Sequence, residues 1–194
     1  MASFDKEFRL VVLGAQGVGK SSIIECFCTN YDEDGKGNTV LHLDDEKIRI
    51  SVQESEKWES SYFTKFDGVV VIYSTDSFDT FEYCIDLIKS IRTEDYIPIV
   101  VIENKIDLLD HTEIEKRQVE AFLGELHLRL YRSSAAKDFN IMHPFAYVLE
   151  KLTRSKDENW NTTKKSPVER IRLPSREGWG DEPKASKKEK CSVM

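Results

Sequence analysis

The stretch that decides the fold runs Gly14-Ala15-Gln16-Gly17-Val18-Gly19-Lys20-Ser21. Two glycines five positions apart, followed by Lys and Ser, form the pattern of a phosphate-binding loop. The glycines let the backbone pass close to an oxyanion, so that successive N–H groups point inward around it. An apolar run at 8–13 enters the loop, and a helical pattern leaves it. This context predicts strand, phosphate loop and helix in succession, and therefore nucleotide binding.

Apolar strand patterns alternate with helical patterns along residues 1–154. Strands are predicted at 8–13, 40–43, 48–52, 68–73, 99–102 and 128–131, the second and third as an antiparallel hairpin. Helices are predicted at 21–29, 79–92, 113–126 and 141–153. This order predicts an α/β fold of the P-loop NTPase type, a mostly parallel six-stranded sheet with helices on both faces. Ligands of such sheets bind at the carboxyl ends of the strands.

Composition separates a folded body from a tail. The 194 residues suffice for one domain and an appendage, and their 40% apolar content supports a packed core. Residues 164–190 carry nine Lys and Arg against five Asp and Glu, although the whole chain has a net charge of −7. Because periodicity also ends after residue 154, we predict a domain over 1–154 and a flexible basic tail over 155–194. No signal peptide or membrane-spanning segment is predicted, and the cysteines and histidines lack metal-ligand spacing.

Two further motifs follow predicted strands and indicate which base is bound. Asn104-Lys105-Ile106-Asp107 comes after the fifth strand, and Ser133-Ser134-Ala135-Ala136-Lys137 after the last. A carboxylate can accept hydrogen bonds from the N1 and N2 donors of guanine, whereas adenine has no such donor pair. The first motif alone also fits a polar strand–loop junction. Together with the phosphate loop, however, the two motifs predict a guanine nucleotide, so an ATPase or a P-loop kinase is not supported.

With these motifs, residues 7–153, about three quarters of the chain, resemble the Ras superfamily of small GTPases. The stretch 134–152 looks most like the Ran branch, whereas the C-terminal end does not, so no subfamily is assigned. The resemblance makes 1–154 a Ras-like G domain and implies GTP or GDP with Mg²⁺ as ligands. It implies phosphate contacts from Gly17, Val18, Gly19, Lys20 and Ser21. It implies guanine contacts from Asn104, Lys105, Asp107, Ala136 and Lys137.

The chain departs from the family pattern where the catalytic machinery is expected. The family's D-x-x-G motif and following Gln, which supply a Mg²⁺ carboxylate, a γ-phosphate donor and a water-orienting side chain, are missing after the third strand. Glu54 is the candidate replacement for the Asp, and Gln53 lies on the wrong side of it to act as the Gln. A short loop leaves Thr39 as the sole candidate for the Thr that caps Mg²⁺. Gln16 stands where many members carry Gly and would crowd the attacking water and any arginine finger.

These departures predict that nucleotide binding is kept while hydrolysis is impaired, by roughly 10³–10⁵ in rate. The predicted magnesium ligand is Ser21, with Thr39 and Glu54 as further candidates, and no catalytic residue is identified. One hypothesis is a membrane-anchored signalling switch that hydrolyses GTP slowly. The alternative is a catalytically inactive pseudo-GTPase that serves as an interaction module.

The C-terminal end carries a lipidation pattern. Cys191-Ser192-Val193-Met194 fits C-a-a-X, and a final Met favours farnesyl. One prenyl chain binds a membrane weakly, so a second signal is required, and lysines just upstream each contribute about 1 kcal/mol at an anionic leaflet. The pattern predicts anchoring at the cytoplasmic face of a membrane, most simply the plasma membrane. The alternative is a Lys-rich end that only aids solubility. Unidentified effectors or regulators are the expected protein partners, and no nucleic-acid partner is predicted.

Overall fold

A single mixed sheet organises the fold. The computed structural model describes residues 4–29, 32–33, 39–43, 46–92, 96–111 and 114–154. Its strands are β1 (Lys6–Leu13), β2 (Asp32–Glu33), β3 (Thr39–Leu43), β4 (Glu46–Ser55), β5 (Gly68–Ser74), β6 (Ile99–Asn104) and β7 (Arg129–Arg132). They lie in the order β2-β3-β4-β1-β5-β6-β7. β3 is antiparallel to β2 and β4, and every other neighbouring pair is parallel.

Helices cover both faces of the sheet. They are α1 (Lys20–Thr29), α2 (Tyr62–Lys65), α3 (Phe78–Arg92), α4 (Lys116–Glu125) and α5 (Met142–Arg154), with 3-10 helices at Ile106–His111 and Ala135–Lys137. The predicted fold class is therefore confirmed. The six predicted strands are present, and β2 adds a two-residue edge. The order of elements leaves room for a helix between the third and fourth predicted strands, and α2 is a four-residue helix at that place.

Two apolar cores lie on opposite sides of the sheet, because successive strand residues point to opposite faces. Leu10 and Val12 of β1 pack with α1 and α5, whereas Val11 and Leu13 pack with α3 and α4. The rings of Phe27 in α1 and Phe145 in α5 stack with a centroid distance of 3.9 Å. All seven residues of β5 are buried, as its continuous apolar run predicts.

The parallel strands end at one edge of the sheet. Leu13 of β1 pairs with Ser55 of β4 and with Val71 of β5, and the last residues of β5 and β6, Ser74 and Asn104, pair with each other. This edge collects the loops that follow β1, β5, β6 and β7, so it is where a ligand site is expected. None of the described helices is long and apolar enough to cross a membrane. The predicted tail at 155–194, including Cys191, lies outside the described residues.

Candidate nucleotide-binding site

The loop between β1 and α1 is shaped by close backbone contacts. A Cβ atom on Gly14 would lie 2.4 Å from the carbonyl oxygen of Ile72, and one on Gly19 would lie 2.4 Å from Asn104 Nδ2. Gly19 also has a φ of +93°, in the region that favours glycine. A side chain at Gly14 would therefore collide with the backbone of β5, and one at Gly19 would require Asn104 to move. The predicted phosphate loop follows a strand and leads into a helix, as its motif requires.

Lys20 places a positive charge inside this loop. Its side chain is buried, and Nζ donates to the carbonyl oxygens of Gly14 at 3.1 Å and Ala15 at 3.0 Å. Lys20 is also the first residue of α1, where unpaired backbone N–H groups and the helix dipole attract anions. An ammonium group and a helix N-terminus thus converge on the space enclosed by the loop, an arrangement suited to a polyphosphate.

Ser21 and Glu54 meet beside the loop. Ser21 Oγ donates to Glu54 Oε2 at 2.8 Å. Two neighbouring ligands of an octahedral Mg²⁺, each bound at about 2.0–2.1 Å, lie roughly 2.9 Å apart, so these two oxygens suit one ion. Glu54 pairs with Val12 and shares its face of the sheet with α1, which places Gln53 on the opposite face.

The structure does not bring Thr39 to this pair. Thr39 is buried as the first residue of β3 and pairs with Ile50 of β4. Ile50 precedes Glu54 by four residues, which is roughly 13 Å along a strand. Of the three predicted magnesium ligands, Ser21 and Glu54 thus lie together beside the loop. Thr39 lies within the sheet, because strand pairing begins at Thr39 itself.

Asn104 connects the phosphate loop to the base-side loops. Its side chain is buried, Nδ2 donates to the carbonyl oxygen of Val18 at 2.9 Å, and Oδ1 accepts from the N–H of Ala135 at 3.2 Å. The Ser134 hydroxyl donates to Asp107 Oδ1. The loops after β6 and β7 are thus joined by Asn104 and Asp107, two residues of one predicted motif.

Lys105 contacts the loop after β5. It has a φ of +63°, and its Nζ lies 3.6 Å from Asp76 Oδ2. A hydrogen bond from the Ser74 hydroxyl lowers the pKa of Asp76, and the charge of Lys105 lowers it further. Asp76 therefore stays ionised and holds the Lys105 side chain at the carboxyl end of β5.

The loop after β7 carries the last two predicted guanine contacts, Ala136 and Lys137. Ser134 and Ala135 contact Asp107 and Asn104, whereas the predicted Ala136 and Lys137 are exposed within a 3-10 helix. The Lys137 N–H donates to Ser134 Oγ at 3.2 Å, which helps to orient that hydroxyl. Ala136 and Lys137 are therefore accessible to a ligand, and their guanine contacts stay a prediction.

The segment after β4 is held against α3. The Trp58 ring makes edge-to-face contacts with Tyr62 at 5.5 Å and Phe63 at 5.0 Å. The Tyr83 hydroxyl of α3 donates to the carbonyl oxygen of Glu56 at 3.0 Å. Residues 54–66 include neither Asn nor Gln. The segment therefore brings no carboxamide group to the loop, and aromatic packing occupies the place of the missing motif.

Comparison with known proteins agrees with this architecture. Residues 9–154, from β1 to the end of α5, match the Ras family. The chain is also similar to Ras-like protein 1 of Saccharomyces cerevisiae, with 25% identity over 173 residues that cover 81% of this chain and 56% of the yeast protein. The chain thus spans only about half the length of the curated relative it matches. Since the family match covers well over half of the chain, this protein belongs to the Ras family.

Proposed function

We propose that this protein binds GTP and GDP with Mg²⁺ and acts as a signalling switch whose hydrolysis step is slow. The observation that carries the proposal is the bridge made by Asn104, from Val18 O at 2.9 Å to the Ala135 N–H at 3.2 Å. One buried side chain thereby sets the spacing between the phosphate loop and the base-side loops. Family membership supports the same ligand.

Selectivity for guanine is proposed to depend on Asp107. Its carboxylate is exposed at the site and is oriented by the Ser134 hydroxyl. Guanine offers two N–H donors to such a carboxylate, whereas adenine would leave it without partners, and sites of this type discriminate strongly.

Ser21 and Glu54 would hold the magnesium ion, since their oxygens lie 2.8 Å apart beside the loop. Among the described residues, no three His, Cys, Asp or Glu side chains form a metal cluster, so phosphate and water would supply the other ligands. The ion would neutralise phosphate charge. The chain's own part is to orient the two oxygens and to hold Lys20 in the loop.

Slow hydrolysis is supported by the missing water-orienting group. Gln53 faces away from Ser21, and residues 54–66 supply no carboxamide in its place. Gln16 is exposed within the loop, and in the proposed function its side chain would crowd the attacking water and any arginine finger. Loss of the groups that orient water and stabilise charge lowers GTPase rates by roughly 10³–10⁵.

The test begins with the nucleotide that co-purifies with the full chain, followed by single-turnover cleavage of bound GTP. We expect bound GDP or GTP, weak ATP competition, and measurable but slow cleavage. Asp107→Asn should lower GDP affinity, whereas Glu125→Gln, an exposed change on α4, should not. If bound GTP is not cleaved at all, the pseudo-GTPase alternative would replace the proposed switch. Tight ATP binding that survives Asp107→Asn would refute the assignment to guanine.

We also propose that a prenyl group on Cys191 and the adjacent lysines anchor the protein at the cytoplasmic face of a membrane. The support is the sequence Cys191-Ser192-Val193-Met194 with Lys187, Lys188 and Lys190 before it. Cys191→Ser should move the full chain from the membrane fraction to the soluble fraction, and Cys28→Ser should not. An unchanged distribution of Cys191→Ser would rule out the anchor.

A further inference from the structure

Glu103 is a buried carboxylate directly behind the candidate site. It precedes Asn104 in β6, and successive strand residues point to opposite faces. Asn104 faces the phosphate loop, whereas Glu103 shares the face of Val101, which packs with α3 and α4. Glu103 therefore cannot contact a nucleotide, and its charge needs another explanation, since buried carboxylates are rare unless they are paired.

Its partner is Arg132, the last residue of β7. The two residues are paired in register across the strands, and Arg132 Nε lies 2.8 Å from Glu103 Oε2. The Thr75 hydroxyl, just after β5, donates to Glu103 Oε1 at 2.9 Å. Arg132 reaches outward as well, with NH1 2.6 Å from Glu120 Oε1 in α4. One carboxylate thus joins the carboxyl ends of three parallel strands.

The ends of β6 and β7 lead directly into the two base-reading loops, and backbone hydrogen bonds tie the end of β6 to its neighbours on both sides. The Ser133 N–H donates to the Glu103 carbonyl oxygen at 2.8 Å, and the Thr75 N–H donates to the Asn104 carbonyl oxygen at 3.0 Å. On the front of the sheet, Ser134 and Ala135 contact Asp107 and Asn104. The ion pair at the back and the loop contacts at the front thus join the same two strand ends.

We propose that the Glu103–Arg132 pair positions the base-reading loops and thereby determines how long a guanine nucleotide stays bound. The inference rests on the proposed guanine-nucleotide function and adds two positioning residues to it. Removing Arg132 leaves the buried Glu103 carboxylate uncompensated, which strongly destabilises the arrangement around it. Removing the charge of Glu103 takes away the link between β6 and β7, while Arg132 keeps its contact with Glu120. The ends of β6 and β7 can then move apart, which lengthens the contact between Asn104 Oδ1 and the Ala135 N–H.

The experiment uses the full chain, Mg²⁺ and a fluorescent GDP analogue, with three variants of the pair: Glu103→Gln, Arg132→Met and their combination. We expect each single change to speed GDP release by about tenfold or more, equivalent to about 1.4 kcal/mol. The double variant should release GDP more slowly than the product of the single effects predicts, because the two residues are coupled. Arg132→Lys keeps the charge but not the planar guanidinium group, so its GDP release rate should lie between those of the wild type and Arg132→Met.

Two control variants separate positioning from general stability. Glu120→Gln removes only the outward contact of Arg132, and Val119→Ala loosens the same apolar core on α4. Both should leave the GDP release rate within about twofold of the wild type, even where Val119→Ala lowers the melting temperature. Discrimination between GDP and inosine diphosphate, which lacks the N2 amino group, should fall in Glu103→Gln and persist in both controls.

Amide hydrogen exchange at residues 104–107 and 133–137 gives a second readout that needs no nucleotide. We expect faster exchange there in Glu103→Gln and in Arg132→Met. Unchanged exchange and unchanged GDP release, with a melting temperature lowered as in Val119→Ala, would reduce the pair to a structural role and overturn the inference. A wild-type chain that retains no guanine nucleotide would instead refute the proposed function, and the exchange data would still decide the positioning role. If Glu103→Gln fails to fold, Arg132→Lys takes its place in the measurements of GDP release and amide exchange.

Discussion

Gly19 lies so close to Asn104 that a Cβ atom on Gly19 would be 2.4 Å from Asn104 Nδ2. The same Nδ2 donates to the carbonyl oxygen of Val18 at 2.9 Å. The phosphate loop and the Asn104 motif are therefore packed as one unit, although they are far apart in the sequence. We therefore expect a change in either loop to affect the other.

Gly19→Ala should destabilise the protein more than Gly17→Ala. Both glycines have positive φ, at +93° and +80°, but a Cβ on Gly17 would have no atom within 4 Å. Gly17→Ala should therefore lower the free energy of unfolding only by the cost of placing Ala at a positive φ, about 1–2 kcal/mol. Gly19→Ala should lower the free energy of unfolding by about 1–3 kcal/mol more than Gly17→Ala does, because Asn104 must move. Urea unfolding of the nucleotide-free chain measures the difference, and equal losses would show that Asn104 adjusts freely.

Glu54→Gln should raise the Mg²⁺ concentration needed to retain GDP. The change keeps the size of the side chain but removes the charge beside Ser21 Oγ, so we expect a shift of roughly 10–100-fold. GDP release measured across a Mg²⁺ titration checks this. Gln53→Ala is the matched control: it lies on the opposite face of β4 and should alter neither Mg²⁺ dependence nor the rate of GTP cleavage. An unchanged titration curve for Glu54→Gln would remove Glu54 from the metal site.

Gly68→Ala should destabilise the contact between β5 and α5, and Val148→Ala should partly restore it. A Cβ on Gly68 would lie 2.5 Å from Val148 Cγ1, and a branched side chain in a packed core cannot easily move away. We expect a loss of about 1–3 kcal/mol for Gly68→Ala. In the double variant the methyl groups removed from Val148 make room for the new one at position 68. The loss of unfolding free energy in the double variant should therefore be smaller than the sum of the two single losses. Denaturant unfolding of all four chains tests this, and simple additivity would contradict the contact.

Asp76→Asn should lower stability at neutral pH but not in acid. The pKa of Asp76 in the folded chain is lowered from 3.8, chiefly by the Ser74 hydroxyl. A lowered pKa contributes stability that is complete above the unfolded value and is lost as pH falls through the folded value. The difference in unfolding free energy between wild type and Asp76→Asn should therefore be constant from about pH 7 to pH 5 and shrink below about pH 4.

Glu125→Gln, an exposed change on α4, provides the reference for this pH series. It should follow the wild-type curve across the whole range. A difference for Asp76→Asn that stays the same at every pH would show that lost packing, and not the charge of Asp76, explains its effect.

Local patterns in the sequence determined the phosphate loop, the order of strands and helices, and the motif Asn104–Asp107, because each depends on neighbours within a few residues. The alternation of apolar runs with helical periodicity sufficed for the fold class, since buried parallel strands and amphipathic helices each leave their own spacing. Even the missing D-x-x-G was visible, because it is an absence within a short window.

Only the tertiary structure decided which side chains meet across the sheet. Ser21 with Glu54, and Glu103 with Arg132, are separated by about thirty residues, and strand register, not local pattern, brings each pair together. The same register places Thr39 within β3 and away from Ser21. The hydrogen bond from the Ala135 N–H to Asn104 Oδ1 likewise joins two loops that are about thirty residues apart in the sequence. A one-residue shift in strand register would move every side chain of that strand to the other face of the sheet, so only long-range packing decides which residues meet.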